Sequence, residues 1–251
     1  MEKNRDYNNS FYKIMRKLNF DMEKQLRIPL SDTESVSGLL NKPVLSIEPG
    51  KGLLVLAHGA GRDMRHPFLQ FIAEGLARNG FSVLRFNFLY KELGRKMPDR
   101  EPLLTKTWNA ALKMARSIEA TVGRSIFAAG KSMGGRIASI MASRGDLPVA
   151  GLIYLGYPLH PPGKKDRLRV EHLPAIRIPQ LFISGTRDSL CDLSLLHKVL
   201  GGLSFPWELR EIVGGDHSFK VLKSLNQSQE SIYSTIVETI AGWMDGQLRR
   251  L

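Results

Sequence analysis

Several features that the sequence lacks limit the class of protein it encodes. Cys191 is the only cysteine among the 251 residues, so no disulfide can form within the chain, and the composition is compatible with a reducing compartment. No apolar run approaches the roughly 20 residues that span a bilayer. The first 20 or so residues mix charges with scattered apolar side chains and lack the apolar core of a signal peptide. We therefore expect a cytoplasmic protein without membrane insertion.

The sequence also lacks zinc-ligand spacing, nucleic-acid-binding motifs, internal repeats and low-complexity segments. It therefore predicts no metal site, no cofactor and no nucleic-acid partner. The formal net charge is nevertheless +12, which is typical of proteins that attract an anionic partner. Two interpretations stay open: a solvated basic surface without a specific partner, or a surface that attracts an anion.

Strand-like and helix-like segments alternate after residue 50, which predicts a mostly parallel sheet with helices on both faces. The continuous apolar run Leu53–Ala57 is typical of a strand buried on both sides. Further strands are predicted over Ser82–Phe88, Ser125–Ala129, Leu152–Leu155, Leu181–Ser184 and Trp207–Val213. Helices are predicted over Pro67–Arg78, Thr105–Glu119, Arg136–Ala142, Asp192–Leu200 and Ile232–Leu248. Upstream, the pattern predicts an antiparallel hairpin of Gln25–Leu30 and Val36–Leu40 at the sheet edge.

The length suits one large α/β domain, which we place at residues 22–251. Residues 1–21 stand apart from it. Phe11, Met15 and Leu18 are spaced for one face of a helix. This segment is either a short amphipathic helix docked on the domain or a loosely ordered tail.

The segment Gly130-Lys131-Ser132-Met133-Gly134 matches the pattern G-x-S-x-G. Alone the pattern is weak, but here it follows a predicted strand and precedes a predicted helix, which is the setting of a nucleophile elbow. In that turn the serine projects its Oγ, and the flanking positions leave no room for side chains. The competing interpretation is a tight turn with a capping serine.

An acid and a base are expected after later strands, in the order Ser…Asp…His. Asp188 ends the turn after one predicted strand, and His217 follows a glycine turn after the next strand. A histidine base activates the weakly nucleophilic serine hydroxyl, and a carboxylate orients the imidazole. Asp192 and Asp216 compete for the role of the acid. Asp192 lies where it would cap the next helix, whereas Asp216 adjoins His217 and its side chain should point elsewhere.

Acyl transfer also needs two N–H groups directed at the developing oxyanion. The backbone N–H of Met133, directly after the nucleophile, is the first candidate. The second is expected in the loop after Leu53–Ala57, where Ala60 is our choice and Gly61 the alternative. His58 in this loop is interpreted as structural, holding the loop through hydrogen bonds.

Seven segments together resemble one group of proteins: HGAGRDM, RFNFLY, GKSMGGR, LGYPLHPPGK, LRVEHL, SGTRD and GGDHSFK. The sequence resembles, over roughly residues 24–245, the α/β-hydrolase family labelled dienelactone-hydrolase-like or "predicted hydrolase". Its animal relatives include a testis-expressed protein and a subunit of a chromatin-acetylating complex. The resemblance implies an α/β-hydrolase fold, a Ser132/Asp188/His217 triad and little or no lid. Dienelactone hydrolases use a cysteine nucleophile, so lactone specificity does not carry over.

These observations predict a serine hydrolase that acts on a small acyl substrate, such as an ester, through an acyl-enzyme. Gly61, Arg62, Lys131 and His160 flank the predicted site and are candidate substrate-binding residues, with an anionic substrate as one interpretation. Local pairing of Arg62 with Asp63 is the competing one. The alternative function is a non-catalytic interaction module that uses its basic surface.

Overall fold

The computed structural model describes residues 23–43, 50–118 and 124–250. The predicted N-terminal tail or helix, residues 1–21, lies outside them. The described strands are β1 (Glu23–Pro29), β2 (Ser35–Asn41), β3 (Gly52–Ala57), β4 (Phe81–Phe86), β5 (Ile126–Lys131), β6 (Leu152–Leu155), β7 (Gln180–Gly185) and β8 (Trp207–Ile212). The α-helices are α1 (Pro67–Arg78), α2 (Leu89–Glu92), α3 (Glu101–Ser117), α4 (Met133–Ser143), α5 (Leu193–Gly201) and α6 (Gln229–Leu248). Two 3₁₀ turns cover Leu173–Ala175 and Lys223–Leu225.

The eight strands form one sheet in the order β1-β2-β4-β3-β5-β6-β7-β8. Strands β3 to β8 pair in parallel, whereas β2 pairs antiparallel with both β1 and β4. The predicted edge hairpin and the mostly parallel α/β sheet are therefore confirmed. Because all six parallel strands point the same way, their carboxyl ends meet at one edge of the sheet, where open α/β folds carry their sites.

Helices cover both faces of the sheet, and successive side chains of the central strands divide between two hydrophobic clusters. In β3, Leu53 and Val55 belong to one cluster, with residues of α3 and α4. Leu54 and Leu56 belong to the other, with residues of α1 and α6. All six residues of β3 are buried, which explains why its sequence is a continuous apolar run rather than an alternation.

The outermost strand β8 differs from the central ones in both exposure and composition. Its burial alternates, with Glu208, Arg210 and Glu211 exposed. Charged side chains on an edge strand discourage pairing with a second chain. The sequence of β8 therefore carries the signature of an edge.

Three helices begin earlier than the apolar pattern predicts. Helix α3 begins at Glu101 rather than at Thr105, with a proline in its first turn, where the missing N–H needs no partner. Helix α4 begins at Met133 instead of Arg136, directly after the serine of the elbow. Helix α6 begins at Gln229, capped by the Ser228 side chain. The first turns contain proline in α3, two glycines in α4 and polar residues in α6, so a helical apolar period does not reveal them.

Above the carboxyl edge of the sheet, the segment after β6 holds only one short 3₁₀ turn. The described residues include no lid domain over this edge, as predicted. None of the described helices is long and apolar enough to cross a membrane.

Candidate active site

Ser132 occupies the turn between β5 and α4 with φ 49° and ψ −113°. This left-handed φ is unusual for a residue with a side chain and marks local strain. The close approach of strand and helix requires the neighbouring glycines. A Cβ on Gly130 would lie 2.1 Å from the backbone N of Gly135, and a Cβ on Gly134 would lie 2.7 Å from the backbone O of His58. The glycines therefore make possible the tight turn that carries Ser132 between β5 and α4.

Ser132, His217 and Asp188 form a continuous hydrogen-bonded line. His217 Nε2 lies 2.9 Å from Ser132 Oγ, and His217 Nδ1 lies 2.8 Å from Asp188 Oδ2. A carboxylate only accepts, so we assign the proton to Nδ1 and leave Nε2 free to accept from the serine hydroxyl. The other carboxylate oxygen, Oδ1, accepts the Leu190 N–H at 2.8 Å. The structure thus brings together the three residues that the sequence singled out.

The loops that carry Asp188 and His217 are bonded to each other. The Arg187 N–H donates to Gly215 O at 2.8 Å, and the Gly214 N–H donates to Thr186 Oγ1 at 2.8 Å. A Cβ on Gly185 would lie 2.2 Å from Gly215 O, so the close contact of the two loops requires glycine there. The distance between Asp188 and His217 is therefore set by backbone contacts as well as by their own hydrogen bond.

Neither competing aspartate reaches His217. Asp192 Oδ1 accepts the Leu195 N–H at 3.2 Å as the N-cap of α5, and its Oδ2 pairs with Lys165. Asp216 Oδ1 accepts the N–H groups of Ser218 and Lys220 at 2.7 and 2.9 Å, which shapes the loop after His217. Both carboxylates are occupied by local backbone contacts, as their positions in the sequence indicate.

The loop after β3 is held in place by His58. Its Nε2 accepts the Phe88 N–H at 3.1 Å, so Nδ1 carries the proton and donates to Gly59 O at 2.8 Å. Burial lowers the pKa of His58 to about 4, so the ring is neutral near pH 7. The Tyr90 hydroxyl donates to Ala60 O at 2.8 Å. These contacts support the structural interpretation of His58.

Two backbone N–H groups are candidates for the oxyanion hole: that of Ala60 in this loop and that of Met133, which directly follows Ser132. Among the described residues, the backbone N–H groups of Ala60 and Met133 donate to no acceptor of the protein. Met133 N–H also belongs to the first turn of α4, where the helix dipole adds positive potential. Both groups are therefore available to an oxygen atom of a ligand.

Two of the candidate substrate-binding residues do not present a polar group to a ligand. The Lys131 ammonium is buried, without a hydrogen-bond partner in the described chain, and lies 5.7 Å from the centroid of the Phe219 ring. Burial lowers its pKa to about 8. His160 is 1% exposed, its Nδ1 lies 2.9 Å from Pro161 O, and its Nε2 accepts the Asp192 N–H at 3.2 Å. The ammonium points inward and the imidazole holds a loop, so the structure does not support a role for either in binding substrate.

Gly61 and Arg62, by contrast, are exposed in the loop after β3. The competing interpretation paired Arg62 with Asp63, but Asp63 Oδ1 accepts the Arg65 N–H at 2.8 Å. Within the described ranges Arg62 forms no ion pair. Its guanidinium is therefore available at the surface beside Ala60.

The remaining groups of interest are a thiol and the possible metal ligands. Cys191 is buried, and burial raises the pKa of its thiol to about 12, so the thiol stays protonated and packs as a small apolar side chain. The described residues contain no group of three or more His, Cys, Asp or Glu side chains placed to hold a metal ion.

The parallel sheet, the strained serine turn after β5, and Asp188 and His217 after β7 and β8 are features of the class of α/β-hydrolase-fold proteins. The chain belongs to the alpha/beta hydrolase domain family, whose model matches residues 50–245. Membership of this family supports a hydrolytic function on a small-molecule substrate.

Solved structures with the same fold include several hydrolases. A dienelactone hydrolase from Anabaena variabilis ATCC 29413 is 20% identical with a TM-score of 0.69, and the match covers 89% of this chain and 97% of that chain. Est1E from Butyrivibrio proteoclasticus is 14% identical with a TM-score of 0.68, over 90% and 99% of the two chains. XC6422 from Xanthomonas campestris, a serine hydrolase without a lid, is 18% identical with a TM-score of 0.65, over 91% and 94%. At these identities the likeness establishes the fold.

Proposed function

We propose that the protein is a serine hydrolase that cleaves a small ester or related acyl substrate through an acyl-enzyme. The observation that carries the proposal is the hydrogen-bonded line from Ser132 Oγ through His217 to Asp188, with distances of 2.9 and 2.8 Å. His217 is 22% exposed while the Asp188 side chain is fully buried. The base thus faces the solvent side of the site, and its orienting acid is shielded from water.

Acylation begins when Ser132 Oγ attacks the substrate carbonyl carbon and His217 Nε2 takes the hydroxyl proton. Asp188 keeps the proton of the neutral ring on Nδ1 and stabilises the imidazolium that forms. The carbonyl oxygen, now negative, receives hydrogen bonds from the N–H groups of Met133 and Ala60, the proposed oxyanion hole. Removal of one such donor typically raises the barrier by about 3 kcal/mol.

Collapse of the tetrahedral intermediate breaks the bond to the leaving group, which takes the proton from His217 Nε2. The acyl group stays on Ser132. A water molecule then gives a proton to His217 and attacks the acyl carbon, and the second collapse returns the proton to Ser132 Oγ. Every proton transfer runs through one nitrogen, Nε2, and the sequence of steps needs no cofactor.

The carboxyl edge favours small, water-accessible substrates over long lipids, because none of the described residues forms a lid that would shield an extended chain there. Arg62 beside the oxyanion loop favours substrates with negative charge. Dienelactone hydrolase and Est1E share the fold, but the identities are too low to transfer their substrates. The kinship with a testis-expressed protein and a chromatin-complex subunit, and the cytoplasmic location, stay predictions from the sequence.

A fluorophosphonate probe tests the proposal, because it phosphonylates an activated serine. The full chain should be labelled at Ser132, and Ser132→Ala should abolish labelling together with turnover of a p-nitrophenyl ester. Ser139→Ala is the matched control, since Ser139 lies in α4 but is fully buried, and it should label like the parent. A folded parent that takes no probe would reject the enzyme and favour the non-catalytic interaction module.

A further inference from the structure

Two arginines, Arg136 in α4 and Arg169 in the segment after β6, play no part in the proposed mechanism. Arg136 follows Ser132 by one turn of α4, ~6 Å along the helix axis. Helical side chains lean toward the helix N-terminus, so the Arg136 side chain starts out toward the serine. Neither arginine was singled out from the sequence as a binding residue, because nothing in the local pattern connects residue 136 with residue 169.

Arg169 approaches from the segment after β6. Its N–H donates to Leu159 O at 2.8 Å, and its carbonyl accepts the Tyr157 hydroxyl at 2.6 Å. This segment leaves the sheet beside the nucleophile, because the Ser132 N–H donates to Leu155 O at 3.2 Å. The arginine is therefore fixed through its backbone at the same edge of the sheet as the serine.

A chain of contacts joins the backbones of the two arginines. Ser139 Oγ donates to Arg136 O at 2.7 Å and lies 2.7 Å from His172 Nε2. The same nitrogen lies 3.5 Å from the Tyr157 hydroxyl, which donates to Arg169 O. Burial, and then the positive charge of Arg136, lowers the pKa of Arg169. The Arg136 charge is likewise a cause, after burial, of the lowered pKa of His172. Two cations that repel each other in a partly buried place destabilise the unliganded protein unless an anion offsets them.

No acidic side chain of the described chain supplies that anion. Neither Arg136 nor Arg169 forms an ion pair there, and Arg136 Nε is buried without a hydrogen-bond partner. Two carboxylates act electrostatically on nearby His172. Of these, Glu101 is paired with Arg144 at 2.7 Å, and Glu171 is exposed and within ion-pair distance of neither arginine. A buried N–H donor without an acceptor calls for an explanation, and a bound anion provides one.

We infer that Arg136 and Arg169 form a subsite for an anionic group, a carboxylate or a phosphate, on the substrate of Ser132. Guanidinium groups match both anions because their N–H forks donate two parallel hydrogen bonds. The inference rests on the proposed function, since it assigns part of the substrate of the same site. It also assigns the preference for an anion to these two arginines and not to Lys131, whose ammonium is buried against Phe219.

The kinetic test compares two esters of the same alcohol with acyl chains of equal length, p-nitrophenyl hemiglutarate and p-nitrophenyl valerate. Arg136→Gln and Arg169→Gln should each lower the ratio of kcat/KM, anionic over neutral, by roughly tenfold or more. Arg136→Lys, which keeps the charge and loses the fork, should lower the ratio less. Arg144→Gln is the matched control at the other end of α4, where the arginine is exposed and paired with Glu101, and it should keep the parent ratio.

A binding measurement separates this inference from the proposed function. Glutarate and inorganic phosphate are titrated calorimetrically into the full-length Ser132→Ala protein, with and without Arg136→Gln. Loss of binding with Arg136→Gln supports the subsite even if neither ester is hydrolysed, in which case only the hydrolase proposal fails. The tighter of the two anions identifies the group that the subsite accepts. An unchanged kinetic ratio, together with equal or undetectable anion binding with and without Arg136→Gln, overturns the subsite while leaving hydrolysis intact.

Discussion

Two serines of the described chain, one in the turn before α4 and one within α4, each lie close to a histidine. The two pairs have similar Ser–His distances but differ in burial, hydrogen bonding and the presence of a carboxylate. Ser132 Oγ lies 2.9 Å from His217 Nε2, and Ser139 Oγ lies 2.7 Å from His172 Nε2. Ser139 is fully buried, and its hydroxyl donates to Arg136 O at 2.7 Å. In this second pair the histidine therefore donates to the serine instead of accepting its proton.

The two pairs also differ in whether a carboxylate contacts the histidine. Asp188 holds Nδ1 of His217, whereas no carboxylate in the described chain bonds His172. Burial, and then the charge of Arg136, lowers the pKa of His172. A short Ser–His distance therefore does not define a catalytic pair. Three features distinguish the Ser132 pair: a hydroxyl that is only partly buried, a hydroxyl proton that no other acceptor holds, and a carboxylate bonded to the far side of the histidine ring.

Removal of each histidine gives the largest expected difference between the pairs. His217→Ala should lower kcat for a p-nitrophenyl ester by ~10⁴-fold or more, because no other group takes the Ser132 proton. His172→Ala should change kcat by less than about threefold, because His172 contacts no atom of the proposed mechanism. Steady-state kinetics with circular dichroism as the folding control measure both, and a comparable loss in the two variants would contradict the assignment.

Replacement of Asp188, which holds His217, should lower kcat somewhat less than removal of His217. Asp188→Asn should lower kcat by ~10³- to 10⁴-fold with the fold intact, because the amide can donate to Nδ1 and favours the wrong tautomer. Asp192→Asn is the matched change nearby. Asparagine caps helices as well as aspartate, so its kcat and thermal midpoint should stay near those of the parent. An Asp188→Asn protein with parental turnover would point to another acid.

Replacement of Gly130, the first residue of the elbow motif, tests how tightly the turn that carries Ser132 is constrained. In Gly130→Ala the new Cβ would lie 2.1 Å from the Gly135 backbone N, and backbone atoms cannot yield cheaply. The free energy of unfolding should fall by ~3 kcal/mol or more in urea titration. Gly242→Ala in α6 meets nothing within 4 Å and should raise stability by ~0.5–1 kcal/mol. Equal stabilities of the two variants would show that the turn is not constrained.

The smallest expected effect concerns the buried cation beside the first pair. Burial lowers the pKa of Lys131 from 10.5 to about 8, so below pH 8 the folded protein carries a buried charge that the unfolded chain keeps hydrated. Lys131→Met should therefore raise the free energy of unfolding at pH 7 by ~1–2 kcal/mol. The parent gains stability as the pH rises from 8 to 10.5, because only its folded state has lost the proton.

The advantage of Lys131→Met should consequently shrink across that pH window and vanish above it. Lys164→Met, at an exposed position, is the control and should change stability little at any pH. Chemical denaturation at several pH values measures both variants. An advantage that stays constant up to pH 11 would assign the effect to packing instead of charge.

Much of the fold and the line-up of Ser132, Asp188 and His217 could be predicted from the sequence. Strands buried on both faces must be apolar throughout, and a close strand-to-helix turn must be made of glycine. Both requirements can therefore be recognised from short stretches of the sequence. The order of acid and base follows as well, because parallel strands bring their carboxyl ends to one edge whatever the details of packing.

Only the tertiary structure decided where individual side chains point. Lys131 lies inside the elbow motif, yet its ammonium turns inward because Phe219 and the loop of His217 pack over it. The sequence places His160 in a loop on the predicted active-site side of the sheet, but its ring accepts the backbone N–H of Asp192, 32 residues away. The charge of Arg136 acts on Arg169 because the segment after β6 folds back toward α4, and no periodicity encodes that path. Backbone direction is a local property, whereas the partner of a long polar side chain depends on contacts between segments distant in sequence.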